Sequence, residues 1–236
     1  MLELRQLDIS IGKRPLIRGL DLQIQAGQIW CLLGRNGSGK STLLKCLAGI
    51  YGVDDGSIRI DGRVSPFIEL GVGFNPDLTA RDNVLINGVM LGLPRKHAKE
   101  RFDEVIEFAG LEDFMDTPLK RYSTGMRARL GFSLVTAFDA DLILLDEVLS
   151  VGDWDYQRRS LRRISELHER GAAVVAVSHS NQMISQICSS LVLVEHGRIV
   201  LQGDPISVIN HYIGGRQDDG DDGPDDGVYA DEIAPP

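Results

Sequence analysis

Apolar and polar residues alternate from Leu2 to Ile11 and again through Leu20-Asp21-Leu22-Gln23-Ile24, the period of two of half-buried strands, with a turn at Ala26-Gly27. Gln28-Ile29-Trp30-Cys31-Leu32-Leu33 loses the alternation and predicts a strand buried on both faces. Thr42 to Ala48 predicts a helix ending near Gly49, and Ser57 to Ile60 a strand closed by the Asp61-Gly62 turn. From Thr79 the pattern turns helical. Thr79 is placed to cap a first helix, with Asp82 three residues on; a second starts at Pro94 and carries Phe102, Val105, Ile106 and Ala109; a third spans about Thr124 to Phe138. Strand and helix then alternate: Asp141 to Leu145, Asp155 to Glu169, Ala173 to Ser178 and Ser180 to Ile187. A hairpin of Leu191–Glu195 and Arg198–Gln202 turns at His196-Gly197, and Asp204-Pro205 opens a last helix. The sum is an α/β fold: a mixed core sheet covered on both faces, an N-terminal antiparallel β part, and an inserted helical subdomain at about residues 75–137.

Composition narrows the class. With 236 residues, 43% hydrophobic and 25% charged, the chain is globular and long enough for a core plus a subdomain. No apolar run approaches the roughly 20 residues of a membrane span. The N-terminus MLELRQLDIS lacks a signal-peptide layout, so a cytosolic location is expected. Cys31, Cys46 and Cys188 are far apart and odd in number, with neither a disulfide framework nor a zinc spacing; Cys31 and Cys46 read as small buried residues. The net charge of −9 is uneven: residues 216–236 hold eight acids and one base, a net of −7, which leaves −2 for residues 1–215. The expected organisation is one domain over 1–215 followed by an acidic, disordered tail over 216–236. No basic patch is visible, so nucleic acid is not an expected partner.

The chemistry begins at Gly34, Arg35, Asn36, Gly37, Ser38, Gly39, Lys40 and Ser41, the pattern G-x-x-x-x-G-K-[ST] between a buried strand and a helix that opens with Thr42. Backbone N–H groups and a helix N-terminus converge there and attract phosphate, Lys40 adds a charge for the outer phosphates, and the Ser41 hydroxyl can reach Mg²⁺. Leu142-Ile143-Leu144-Leu145-Asp146-Glu147 is a buried strand ending in two acids: Asp146 can hold Mg²⁺ at the sheet edge, and Glu147 can polarise a water for attack on a γ-phosphate. Ser123 and Gly125, before the helix from Arg127, form a second anion site or simply a helix cap. One nucleotide cannot easily occupy both sites in one chain, so two chains head to tail are expected. His179 ends the next strand and is a candidate γ-phosphate sensor.

In this order the pieces resemble the nucleotide-binding subunit of ABC transporters, P-loop NTPases with a RecA-like core, here about 1–74 and 138–215. Tyr122-Ser123-Thr124-Gly125-Met126 matches the signature (LSGGQ in most members), Ser150-Val151-Gly152-Asp153 the D-loop, and His179 the switch histidine. A narrower similarity, over residues 67–83, 122–133 and 146–153, is to exporters of O-antigen, capsule, teichoic acid or galactan. The resemblance implies ATP and Mg²⁺ as cofactors, catalysis by Glu147, His179 and Lys40, and nucleotide contacts from Asp153. It also implies a homodimer on two copies of a permease, at the cytoplasmic face of the bacterial inner membrane, with a lipid-linked polysaccharide as cargo. Ile11 stands where most members stack an aromatic residue on adenine, and no glutamine lies between Val64 and Thr79, so Asn75 or Glu69 takes the Q-loop role at the metal. With only a short acidic tail after the domain, recognition of the sugar falls to the permease. The alternatives are an ABC subunit for another cargo (lipid, drug, haem) or a soluble regulatory ABC module.

Overall fold

The computed structural model describes residues 1–67, 73–91, 94–146, 152–178 and 181–218. In chain order these form β1 (Leu2–Ile11), β2 (Arg14–Ile24), β3 (Ile29–Leu33), α1 (Lys40–Leu47), β4 (Asp55–Ile60) and β5 (Val64–Phe67). The helices α2 (Ala80–Met90), α3 (Arg95–Glu100), α4 (Phe102–Ala109) and α5 (Thr124–Thr136) follow. The chain then runs through β6 (Leu142–Asp146), α6 (Trp154–Glu169), β7 (Ala173–Val177), α7 (Asn181–Ile187), β8 (Ser190–Glu195), β9 (Arg198–Gly203) and α8 (Pro205–Asp218). An antiparallel sheet has the order β2-β1-β4, and a six-stranded sheet the order β5-β6-β7-β3-β8-β9, parallel except for β9.

Burial follows the pleat. On β3, Ile29, Cys31 and Leu33 pack into a layer with Ile164 and Leu167 of α6 and Val208 and Ile209 of α8. Trp30 and Leu32 face the other way, against α1 and the antiparallel sheet. The helical subdomain has a core of its own, built from Val84, Phe102, Val105, Ile106, Leu130, Leu134 and Phe138. Helix α5 is the shared wall: Phe132 and Val135 point into the sheet layer while Leu130 and Leu134 point into the helical core.

Four expectations change. β5 was not foreseen; it is four residues long and contains Pro66, which a sheet tolerates at the edge position β5 occupies. The single helix expected from Pro94 is two, interrupted at Arg101, because α3 has only Ala98 to bury whereas α4 buries Phe102, Val105, Ile106 and Ala109. The last helix runs to Asp218, so residues 216–218 belong to it rather than to the tail. Cys46 is buried and free as read, but Cys31 is bonded to Cys188, joining β3 to the chain just after α7; a separation of 157 residues hides such a pair in the sequence.

Glu104 fastens α4 to α6. It accepts from Arg101 at 2.7 Å and from Arg163 at 2.8 Å, and the Arg163 guanidinium lies 4.6 Å from the centre of the Phe108 ring. Burial pushes the Glu104 carboxyl up, but the two arginine hydrogen bonds outweigh it and hold the group below its ordinary value of 4.5. A carboxylate depressed in the folded state stabilises fully above its unfolded value and loses that contribution as pH falls through the folded one. Urea unfolding of Glu104→Gln should therefore show a deficit at about pH 7 that closes by about pH 3; an equal deficit at both would remove the ion pair as its cause.

Candidate nucleotide-binding site

Three parallel strands set the geometry of the site. Val177 of β7 is in register with Leu32 of β3 on one side and Asp146 of β6 on the other. Leu32, Val177 and Asp146 thus form one row across the sheet, with β3 and β6 about 10 Å apart. The segments leaving the row emerge on one edge: Gly34 to Ser41 from β3, and Ser178, which is buried, from β7. Glu147 follows Asp146 of β6 and His179 follows Ser178; with Glu69, Ser150 and Val151 they lie outside the described residues.

The phosphate loop is shaped by its glycines. Gly34 has φ +149°, and a Cβ there would overlap the Val194 carbonyl of β8. Gly39 caps α1 at φ +101°, and a Cβ would stand 2.8 Å from Ile17 Cδ1. Between them the Ser38 amide donates to the Arg35 carbonyl at 3.1 Å, and Arg35, Asn36 and Gly37 are exposed at the tip. The first backbone bond of α1 is from the Leu43 amide to the Gly39 carbonyl, so the amides of Lys40, Ser41 and Thr42 precede the helical ladder and point out of its end. No side chain caps them. Lys40 is buried to 5% exposure, and its ammonium donates to the carbonyls of Gly34 at 2.6 Å and Arg35 at 3.0 Å, which holds the charge over the loop. Ser41 and Asp146 are each half-buried. One hydroxyl and one carboxylate are a donor set that suits Mg²⁺ shared with phosphate oxygens rather than an all-protein cage; among the described residues no cluster of three His, Cys, Asp or Glu side chains could hold a metal alone.

The family model described as ABC transporter matches residues 17–150. The chain belongs to the ABC transporter family. Among relatives, it is 38% identical over 196 residues to the ABC transporter protein AbcA of Aeromonas salmonicida, covering 83% of this chain and 64% of the relative. It is 38% identical over 209 residues to the O-antigen export system ATP-binding protein RfbB of Klebsiella pneumoniae, covering 88% and 85%. It is 37% identical to the teichoic acids export ATP-binding protein TagH of Enterococcus faecalis, covering 83% and 44%. The chain thus spans about two thirds of AbcA and under half of TagH. Among solved structures, an ATP-binding subunit of an ABC transporter superposes with TM-score 0.82 at 21% identity, covering 91% of this chain and 93% of that one. The dimeric ATP-binding cassette MJ0796, in a post-hydrolysis state bound to ADP and Pi, superposes with TM-score 0.77 at 19% identity, covering 87% and 99%.

In this ABC chain the remaining candidates lie on other elements. Ser123 is exposed and caps α5, accepting from the Met126 amide at 3.2 Å. A Cβ on Gly125 would meet only Ser123 Oγ, at 3.9 Å, so the chain's own packing leaves that position open. Asp153 caps α6 by accepting from the Tyr156 amide at 2.8 Å; the Tyr156 hydroxyl donates to the Arg129 carbonyl of α5 at 3.1 Å, and burial pushes that phenol up to about 12. Ile11 is 57% exposed at the end of β1. Asn75 is exposed, and its carboxamide oxygen accepts from the Asp77 amide at 3.0 Å.

A clamp beside Asn75 has no motif that announces it in the sequence. Asn83, 1% exposed on α2, accepts from the Asn75 amide at 2.7 Å and donates to the carbonyls of Asn75, Leu78 and Thr79 at 3.0, 3.2 and 2.8 Å. One turn on, Asn87 donates to the carbonyls of Gly73 and Asn83 at 3.1 and 2.9 Å. Two asparagines four apart beside Val84 and Gly88 were the available signal. Asn83→Ala should cost about 1–3 kcal/mol and speed hydrogen exchange of the Asn75 amide while β7 amides keep their protection; unchanged exchange at Asn75 would rule the clamp out.

Proposed function

We propose that this chain binds ATP and Mg²⁺, hydrolyses ATP as a head-to-tail homodimer, and so drives a membrane permease that exports a lipid-linked polysaccharide at the cytoplasmic face of a bacterial inner membrane. The observation that carries the chemistry is the Leu32–Val177–Asp146 row, which brings the loop and the acid-ending strand to one sheet edge. The relatives named for O-antigen and teichoic acid export support the cargo.

The loop amides and Lys40 bind the phosphates and stabilise charge that develops on them. Ser41 and Asp146 would hold Mg²⁺, which supplies charge neutralisation between the outer phosphates. Glu147 orients the attacking water and takes its proton. His179, leaving the strand between β3 and β6, senses the γ-phosphate. The open first turn of α5 at Ser123 and Gly125, together with Asp153, meets the nucleotide held by the other copy. Ile11 offers the base an exposed aliphatic surface. Asn75, whose carboxamide oxygen keeps a second lone pair beside its bond from the Asp77 amide, or Glu69 takes the Q-loop role. On α2 the exposed Ile86, Val89 and Met90 form the surface that grips the permease. Among the described residues no helix is long and apolar enough to cross a membrane, so that contact is what attaches this part of the chain.

Glu147→Gln should bind ATP, accumulate as a closed dimer and hydrolyse about 10²–10⁴ times more slowly; a wild-type rate in steady-state assay would show that the base is another residue. Lys40→Ala should lose ATP binding itself. With cysteines at Asn36 and Ser123, both exposed, ATP should promote disulfide crosslinks between copies. Crosslinks confined to single chains would remove the head-to-tail arrangement.

A further inference from the structure

We infer that the arginine stripe of α6 is the docking surface for the chain's own acidic segment, residues 219–236. The first ten residues of α6 hold four arginines and one acid, Asp155. Arg163 is committed to Glu104 and Glu166. Arg158, Arg159 and Arg162 are exposed, and none has an ion-pair partner among the described residues. They stand on one another's neighbouring turns, spaced one, three and four apart. Arg158 lies 5.0 Å from the ring centre of Trp154, which is itself 69% exposed, and Arg159 lies 5.6 Å from that of Tyr156. Rings hold these guanidinium groups in place without neutralising them.

The matching charge is on the same chain. Residues 219–236 contain Asp219, Asp221, Asp222, Asp225, Asp226, Asp231 and Glu232 and no base, while 1–218 hold 25 bases and 27 acids, close to neutral. The acidic segment starts where α8 ends, and α8 packs into the same layer as α6, on the same face of the six-stranded sheet. From the strand beside α6 to the strand beneath α8 is two or three strand spacings, about 10–15 Å, and α6 is about 24 Å long. Eighteen residues of extended chain reach about 60 Å, more than the diagonal of that layer. A tethered anion presented to this stripe acts at an effective concentration of about millimolar, enough for contacts that are individually weak. Another basic cluster, Arg95, Lys96 and Lys99 on α3, lies in the helical subdomain and already pairs Lys96 with Glu100.

Arg162→Lys in the full chain introduces an amine at unchanged charge. Zero-length carbodiimide coupling, mapped by mass spectrometry, should join position 162 to Asp221, Asp222, Asp225 or Asp226 about tenfold more than it joins Lys96 or Lys99 to the same acids. The yield should drop several-fold as salt rises from about 0.05 M to about 0.5 M, which shortens the Debye length about threefold. In a mixture of isotope-labelled and unlabelled protein the links should stay within one chain. Coupling that favours α3, ignores salt or joins two chains overturns the proposal. Independently, Arg158→Glu with Arg162→Glu, both surface changes, should speed chymotryptic cleavage after Tyr229 about fivefold by releasing the segment; an unchanged rate also overturns it. So does sedimentation with anionic phospholipid vesicles that needs Arg158 and Arg162 but is indifferent to removal of 219–236, because the stripe would then face lipid.

Discussion

The parallel pairing of β3, β7 and β6 is the constraint on which the rest depends. Because side chains and strand ends are fixed by register, placing Leu32, Val177 and Asp146 in one row fixes both where the phosphate loop leaves the sheet and where Asp146 stands beside it. A slip of one residue in β6 would turn its apolar residues to the opposite layers and move Asp146 off the row. The strands are buried on both faces, so both layers resist such a slip. The phosphate loop is similarly held from outside, by the Val194 carbonyl against Gly34 and Ile17 against Gly39.

Helix α5 carries that rigidity into the helical subdomain. It begins at the exposed Ser123 cap and divides its apolar residues between two cores. The Tyr156 hydroxyl and the Arg101–Glu104–Arg163 group add polar ties between the helical subdomain and α6. The Asn83–Asn87 clamp ties α2 to the backbone of Gly73 to Thr79, the segment that returns from the end of β5. Movement of that segment would therefore be felt on α2, which also exposes Ile86, Val89 and Met90. The helix that holds Gly73 to Thr79 is thus the same one that carries the surface proposed for the permease.

Much of this was legible in the residues. The Thr79 cap is real, with its hydroxyl oxygen accepting from the Asp82 amide at 3.1 Å, and β1, the His196-Gly197 hairpin and the buried strands fall where the periodicity put them. These are local events, governed by spacing and by turn chemistry within a few residues. The misses share a different cause. β5 is an edge strand recognisable only by the partner it pairs with, the break at Arg101 reflects what α3 has to pack against, and Cys31 meets Cys188 only because β3 adjoins β8.

By itself the sequence determined the loop, the acid-ended strand and the capped helix starts, because each is a short run whose chemistry is complete in its own neighbourhood. Only the tertiary structure decided that Asp146 shares a row with Leu32, that Arg163 of α6 meets Glu104 of α4, and that Cys31 meets Cys188. The reason is physical: contacts between residues tens of positions apart are set by strand order and helix packing, which no local pattern encodes.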